Sequence, residues 1–358
     1  MITLLCDYNF QWSVLLAGCM VWFCAGWVYP RFGAAAASLL AWCSISSIWV
    51  WAWTYNRYFD VIFYYQQSLK LFACDSLAKI MIVCVPMMLF ADRRASLRLY
   101  GTLAWGGFAL ASTGVALYQA ARYGCNGLNC GGLVGNASIS MGALVCMLPV
   151  FIRSWRAQRL LLLPIVAAVI LSKSSIAAGL LAVYAGLWLF PWRMDFKRMI
   201  GPVATAAGVL GAARLAAGGE LLNDSDRFAV WRFMWERWSL PWNIPAGTGL
   251  GTYHVLSSHL QHMGAGFRGN VWWLTLHNDW FQMLFEGGVV GFSLLCFAYL
   301  SALLKTIKER EYGIALSIVL YGLYMLLDPA LHNPVPVLFG AWLFVYALRN
   351  ENNLEVST

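Results

Sequence analysis

The sequence predicts an all-α, polytopic membrane protein of about 11 transmembrane helices, with one large external loop that contains short helices. Hydrophobic residues make up 61% of the chain and charged residues only 11%, whereas soluble domains are about half apolar and a quarter charged. Several apolar runs reach the roughly 20 residues that a helix needs to cross a bilayer. Runs this long and continuous favour helices over the alternating strands of a membrane barrel.

The apolar runs place the spans along the chain, with ends good to a few residues. They lie near 12–29, 33–53, 71–91, 99–121, 136–152, 160–172, 174–190, 199–216, 288–304, 313–328 and 336–348. Residues 1–11 carry no Lys or Arg, so the positive segment of a cleavable signal peptide is missing and we expect the first span to be retained. The sixth and seventh spans are short and predict a broken or tilted pair around Ser172, Lys173 and Ser174.

Basic residues between the spans orient the chain, because short loops rich in Lys and Arg stay on the cytoplasmic side. The clusters that fit alternating crossings are Arg93, Arg94 and Arg98; Arg153, Arg156 and Arg159; Arg193, Lys197 and Arg198; and Lys305, Lys308 and Arg310. The N-terminus then lies outside and residues 350–358 lie inside. The chain divides into an N-terminal bundle of about eight helices (1–216), the large external loop (217–287) and C-terminal helices with a short tail (288–358).

A second set of basic residues lies on the external side, against this bias. Its members are Arg57, Lys70, Arg122, Lys173, Arg227, Arg232, Arg237 and Arg268. Binding of an anion is the simplest reason to keep them there. The net charge of +8 does not indicate nucleic acid, because 14 of the 24 basic residues, with Arg31 and Arg349 included, fall on the predicted cytoplasmic side. Asp75 and Lys79 stand one helical turn apart in the third span, where we expect a structural ion pair.

The external loop is rich in tryptophan, which argues against disorder. Residues 227–240 predict a capped helix with Trp231, Trp235 and Trp238 on one face. A helix lying along the outer leaflet explains the same pattern equally well, because tryptophan is frequent at membrane boundaries.

Two cysteines differ from the others, which lie in or beside apolar spans and are expected to act as small hydrophobes. Cys125 and Cys130 both fall in the external segment 122–135, and a disulfide between them is plausible in an oxidising compartment. Zinc would need two further ligands, and none is adjacent. The sequence therefore predicts no metal site.

The strongest local pattern begins at Leu276-His277-Asn278-Asp279. Asn278 or Asp279 can cap a short helix, which Gly287-Gly288 should end before the ninth span begins. Upstream, the glycine-rich segment 247–251 predicts a tight turn that brings chain segments together, and it does not follow a strand as a dinucleotide loop would. A single histidine in a wet loop is more often incidental than catalytic.

Taken in order, these pieces resemble the O-antigen ligase and polymerase superfamily of bacterial inner-membrane glycosyltransferases. The resemblance rests on Gly135-Asn136 with Pro149, on Ser172-Lys173-Ser174 where the family has Ser-Arg, on Arg227-x-x-x-Trp231, on Gly247-Thr248-Gly249-Leu250-Gly251, and on His277-Asn278 with Glu286-x-Gly288-x-x-Gly291. These motifs follow the family's order between residues 135 and 291.

The resemblance implies transfer of a glycan from an undecaprenyl-diphosphate donor to a sugar hydroxyl of lipid A-core, at the periplasmic face of the inner membrane and without cofactor or metal. His277 would act as the base, and Arg227 and Lys173 would neutralise the diphosphate. Lys173 departs from the family's arginine, so a point charge replaces a bidentate fork. Substrate contacts are expected from Arg122, Asn136, Arg232, Arg268, Asn278 and Glu286.

Three alternatives stay open. A repeat-unit polymerase of the same superfamily uses similar parts but accepts another lipid-linked glycan. A polysaccharide transporter or flippase would bind an anion in an external cationic cavity without chemistry, although no repeated halves are found in the sequence. A protein-glycosylating relative is the third.

Overall fold

A computed structural model of the chain describes residues 8–57, 94–123, 132–134, 136–154, 162–172, 174–189, 230–232, 234–236, 243–253 and 276–349. Almost all of these residues are helical, and no strand occurs among them. The long helices are α1 (Tyr8–Phe23), α2 (Tyr29–Arg57), α3 (Arg94–Tyr123), α4 (Ala137–Ser154), α5 (Leu162–Leu171), α6 (Ser175–Leu189), α7 (Asp279–Lys308), α8 (Tyr312–Leu327) and α9 (Pro334–Leu348). The all-α prediction is therefore confirmed for the described part of the chain.

The helix bounds follow the predicted spans closely wherever both can be compared. The π-helical turn Cys24–Val28 joins α1 to α2, and Gly33 has the non-helical dihedrals φ 82° and ψ 176° near the start of α2. The predicted boundary between the first two spans therefore coincides with an interruption of the helix at Gly33, after which α2 packs on α1. The predicted spans 71–91 and 199–216 lie outside the described residues.

Two helical stretches in the described ranges are long and apolar enough to cross a bilayer, namely Val14–Ser47 and Asp279–Lys308. Four other apolar helices are shorter: Ser138–Val150, Ile176–Leu187, Tyr312–Leu327 and Val335–Leu348. The count of eleven transmembrane helices therefore stays a prediction.

The chain forms two compact units. The first comprises Met1–Arg94, Asp226–Lys305 and Phe344–Thr358, and the second comprises Ala95–Ser225 and Thr306–Leu343. In the first unit α1 packs against α2 through the buried side chains of Ala17 and Met20. The three-segment division at 216 and 287 stays a prediction.

In the second unit α4 packs against α6 and α8. Residues 141–148 of α4 are buried along their whole length. Gly142 allows a close approach, because a Cβ there would lie 2.7 Å from Cε2 of Tyr324. The Tyr324 hydroxyl then donates a hydrogen bond of 3.1 Å to the carbonyl of Ile139. A small residue and a satisfied polar group thus fix how α8 lies on α4.

Candidate functional site

The helix start predicted beside His277 is present, and Asn278 caps it. The Asn278 side-chain oxygen accepts the backbone N–H of Phe281 at 3.0 Å, and its carbonyl accepts the N–H of Gln282 at 2.9 Å. These bonds satisfy donors that the first turn of a helix otherwise leaves unpaired. The prediction that Asn278 binds substrate stays a prediction, while its capping role in α7 is observed.

His277 directly precedes this cap and has a φ of 51°. Side chains other than glycine adopt left-handed backbone at a cost of about 1–2 kcal/mol. Such strain persists only where surrounding contacts impose it, and it is frequent at functional sites. The residue is half-buried and lies between Leu276 and Asn278, whose hydrogen bonds fix the backbone on both sides of it.

A break in α7 occurs at Gly288, whose φ and ψ are 67° and −173°. A helix break deprives the preceding carbonyls of their intrahelical donors. Here the carbonyl of Phe285 accepts the N–H of Thr248 at 3.1 Å, and that of Glu286 accepts the N–H of Gly249 at 2.8 Å. The predicted helix end at Gly287-Gly288 is therefore confirmed, and the glycine-rich turn caps it.

Two residues of α2 complete this cap. The indole Nε1 of Trp42 in α2 donates to the carbonyl of Gly287 at 2.9 Å, and the Ser46 hydroxyl, one turn further along α2, donates to the carbonyl of Glu286 at 3.4 Å. Both donors are in the same compact unit as α7. They hold the broken helix end against α2.

Glycine is required on both sides of the contact between the turn and α7. Gly247 has a φ of 73°, and a Cβ there would lie 2.4 Å from the N of Gly288. A Cβ on Gly288 would lie 2.6 Å from the carbonyl carbon of Ala246. The tight turn that the sequence predicts thus packs its backbone directly against the backbone of α7 at the helix break, where there is no space for a side chain.

A chain of hydrogen bonds connects the three motif segments of this unit. The N–H of Tyr253 donates to Oε1 of Glu286 at 2.9 Å, and Nε2 of Gln282 donates to the same oxygen at 3.3 Å. The oxygen of Gln282 accepts the N–H of Leu276 at 3.2 Å, and the Leu276 carbonyl accepts Nε1 of Trp231 at 2.7 Å. We call this the Tyr253–Trp231 relay. It passes through the residue next to His277.

An apolar cluster encloses the relay. Its buried members are Val230, Met234, Tyr253, Leu276 and Phe285, with Trp231, Phe281 and Leu284 packed against them. Residues 230–232 and 234–236 are helical, and their buried face carries Val230 and Met234, whereas Trp235 is 49% exposed. Of the three tryptophans predicted to share one face, Trp231 packs against this cluster and Trp235 is exposed, whereas Trp238 lies outside the described residues. The helix packs on the segment around His277 through Val230, Trp231 and Met234.

The second unit contains the break predicted around Lys173. The helix α5 ends at Leu171, and the Ser174 hydroxyl accepts the N–H of Ala177 at 3.2 Å, so Ser174 caps α6. The Ser174 hydroxyl also lies 3.4 Å from that of Ser138, in the first turn of α4. Asn136 caps α4 by accepting the N–H groups of Ser138 and Ile139 at 3.0 and 3.3 Å. The starts of α4 and α6 therefore meet through these side chains.

The candidate cations fall in different places. Arg232 is 83% exposed at its side chain and pairs with Glu236 at 3.1 Å, a surface contact of small energetic value. Arg122 is exposed at the end of α3, donates to the Tyr118 hydroxyl and lies over the rings of Tyr118 and Tyr123. The predictions that fall outside the described residues concern Arg227, Lys173, Arg268, Cys125 and Cys130.

Several residues of this arrangement were not found from the sequence. Gln282 stands four residues before Glu286, a spacing that could have indicated a side-chain pair. Trp42 and Ser46 repeat that spacing in an apolar span, but nothing local indicates their partner. Sequence reasoning also missed a buried carboxylate of the second unit, that of Asp328 at the end of α8. Within the described ranges no three His, Cys, Asp or Glu side chains lie close enough together to hold a metal ion.

No protein-family model matches the chain, and no curated protein matches it. The resemblance stated above therefore depends on the motif residues alone.

Proposed function

We propose that the chain is a multi-spanning inner-membrane glycosyltransferase of the O-antigen ligase type. It transfers a glycan from an undecaprenyl-diphosphate carrier to a sugar hydroxyl of lipid A-core at the periplasmic face. One observation carries the proposal. The Tyr253–Trp231 relay joins three of the motifs that the resemblance rests on, and it does so directly beside His277.

The chemistry needs a base and a way to neutralise the leaving group. The acceptor hydroxyl attacks the anomeric carbon, its proton passes to the neutral imidazole of His277, and the bond to the diphosphate oxygen breaks. The negative charge that develops on the diphosphate is neutralised by Arg227 and Lys173. The released undecaprenyl diphosphate keeps the electron pair of the broken bond, and the imidazolium of His277 returns its proton to the solvent before the next turnover, so that no further group is consumed.

Support for the membrane location comes from the exposed surface of α7. The exposed apolar side chains that follow its helical repeat are Val289, Val290, Phe297, Leu300, Leu304 and Ile307. Exposed apolar side chains that recur along one side of a helix in this way are typical of a surface that contacts another apolar phase or partner. The face suits contact with lipid tails, and it begins directly after the break at Gly288. His277, on the other side of the break, would then lie at the membrane boundary.

Topology is tested by labelling single cysteines with an impermeant thiol reagent in a cysteine-free background. We expect labelling in intact cells at positions 220 and 270, and none at 94, 156 or 308, because the basic clusters hold the latter inside. Labelling at Arg156→Cys together with protection at Asn270→Cys would invert the orientation and remove the proposed site from the periplasm.

The diphosphate role is tested at Arg227 and Lys173. Arg227→Ala should lower transfer by roughly 10²-fold, since loss of one charged donor to a developing anion has about that effect. Arg227→Lys should recover only part of the rate, because the planar fork is lost. Lys173→Arg should keep or raise the rate, and Glu309→Gln, at an exposed position beside the predicted cytoplasmic cluster, serves as the control. Parental activity of Arg227→Ala would exclude it from the site.

The acceptor is tested in cells that lack the gene. For a ligase, mass spectra of the lipopolysaccharide should lose all long chains while lipid-linked polymer accumulates. Single repeats on the core would instead assign the chain to the repeat-unit polymerases.

One observation favours a second candidate, a transporter of the lipid-linked glycan. The helices α5 and α6 form a discontinuous pair interrupted at 172–174, and discontinuous helices line substrate sites in many transporters. Movement of labelled lipid-linked glycan across proteoliposomes, without any transfer product, would support this candidate over the enzyme.

A further inference from the structure

Glu286 belongs to a motif whose carboxylate the resemblance assigns to substrate binding, yet its surroundings indicate another task. The side chain is 3% exposed. Its Oε1 accepts two hydrogen bonds from the protein, from the backbone of Tyr253 and from the amide of Gln282. A buried carboxylate is stable only when donors of this kind surround it. One donor follows the glycine-rich turn and the other lies in α7, so Glu286 connects these two segments.

The two donors belong to different segments of the chain. Tyr253 ends the described part of the glycine-rich turn, whereas Gln282 lies one helical turn before Glu286 in α7. The side-chain NH₂ of Gln282 donates to Glu286, and the side-chain oxygen of Gln282 accepts the N–H of Leu276. The orientation of this amide is therefore set by Glu286, because the reverse orientation would place two acceptors against each other.

The position of His277 depends on the peptide before it. Leu276 is fixed at its N–H by Gln282 and at its carbonyl by Trp231. His277 follows in a left-handed conformation that local preference does not supply. Loss of the Glu286 acceptor would free Gln282 to rotate, and the constraint on Leu276 would be weakened with it.

We propose that Glu286 is a positioning residue. Its Oε1 accepts the hydrogen bond from Tyr253 that holds the turn at 247–253 on α7. Through Gln282 it also fixes the peptide that precedes His277. The effect on the reaction rests on the proposed function, whereas the hydrogen bonds between the turn and α7 do not. What these two hydrogen bonds require is an acceptor oxygen at the place of Oε1, on a side chain of the size of glutamate.

Hydrogen–deuterium exchange of the full-length protein in detergent tests these hydrogen bonds without any substrate. Glu286→Ala should speed exchange in peptides covering residues 248–253 by about tenfold, since a buried amide loses its acceptor. Glu286→Gln should restore most of the protection, because its amide oxygen can replace Oε1. Glu236→Ala, which removes an exposed carboxylate from the same unit, is the matched control and should exchange like the parent.

Gln282→Ala separates the two halves of the relay and covers the case in which Glu286→Ala does not fold. It should leave exchange at 248–253 near the parental rate while lowering kcat about tenfold, with KM changed less than twofold, because His277 is misplaced and the substrate contacts remain. A mainly raised KM in the Glu286 variants would instead indicate contact with substrate and overturn the proposal.

Parental exchange in Glu286→Ala, or equal loss of protection in Glu286→Gln and Glu286→Ala, would also overturn it. If the parent transfers no glycan at all, the proposed function fails, while the exchange experiment still tests the hydrogen bonds to Glu286.

Discussion

Replacement of His277 should abolish turnover while leaving the fold intact. Loss of a general base lowers rates by typically 10²–10⁴. The neighbouring Asn278 and Gln282 carry neutral amides that cannot accept the proton, and they are engaged in capping and in the relay. We expect this loss in His277→Asn, His277→Gly and His277→Ala alike.

The stability of the three His277 variants should differ, which provides an internal control. The backbone φ of 51° suits glycine and asparagine but strains alanine, so His277→Ala should be about 1 kcal/mol less stable than His277→Gly. Thermal melting of the detergent-solubilised proteins measures this order. Transfer that falls with stability across the series would show that folding, and not the imidazole, limits activity. Near-parental transfer in any well-folded variant would exclude His277 as the base.

Substitution at Gly288 should damage the site more than any other single change. Its φ of 67° and ψ of −173° lie in a region essentially restricted to glycine, where other residues are strained by about 1–3 kcal/mol. A methyl group would also overlap the backbone of Ala246. Gly288→Ala should therefore separate the turn from α7 and eliminate transfer altogether.

The neighbouring glycine offers a matched control. A Cβ on Gly287 would meet only the Met283 side chain, 3.0 Å from its terminal methyl carbon, and this flexible end can move away. Gly287→Ala should therefore melt near the parental temperature and keep most of the activity. Equal losses in the two variants would mean that the break at Gly288 has no special conformational demand.

The local features of this site were predictable from the sequence because their causes are local. A capping residue, a pair of glycines and a serine-rich interruption each mark a helix end by the hydrogen bonds they offer within a few residues. Asn278, Gly288 and Ser174 accordingly end or begin helices where the pattern indicated.

The tertiary contacts were not predictable in the same way. Trp42 caps a carbonyl 245 residues away, and no periodicity in α2 indicates which helix end it reaches. The pattern around Trp231 predicts a helix face, a motif position or a membrane-boundary residue, but it does not indicate that the indole donates to the Leu276 carbonyl. Glu286 was interpreted through the chemistry of a motif, while burial and two protein donors decide its surroundings. In each case packing, which the sequence does not state, determines the role.

Glycan transfer by the purified parental protein is the most direct test of the proposed enzyme. The protein is mixed with a purified undecaprenyl-diphosphate-linked glycan and lipid A-core in the presence of a chelator, and both the extended acceptor and the released undecaprenyl diphosphate are quantified. We predict that the two products appear in equal amounts in the parent and that both disappear in His277→Asn. Absence of any product from the well-folded parent, with lipid A-core and with a second lipid-linked glycan as acceptor, would contradict the proposal.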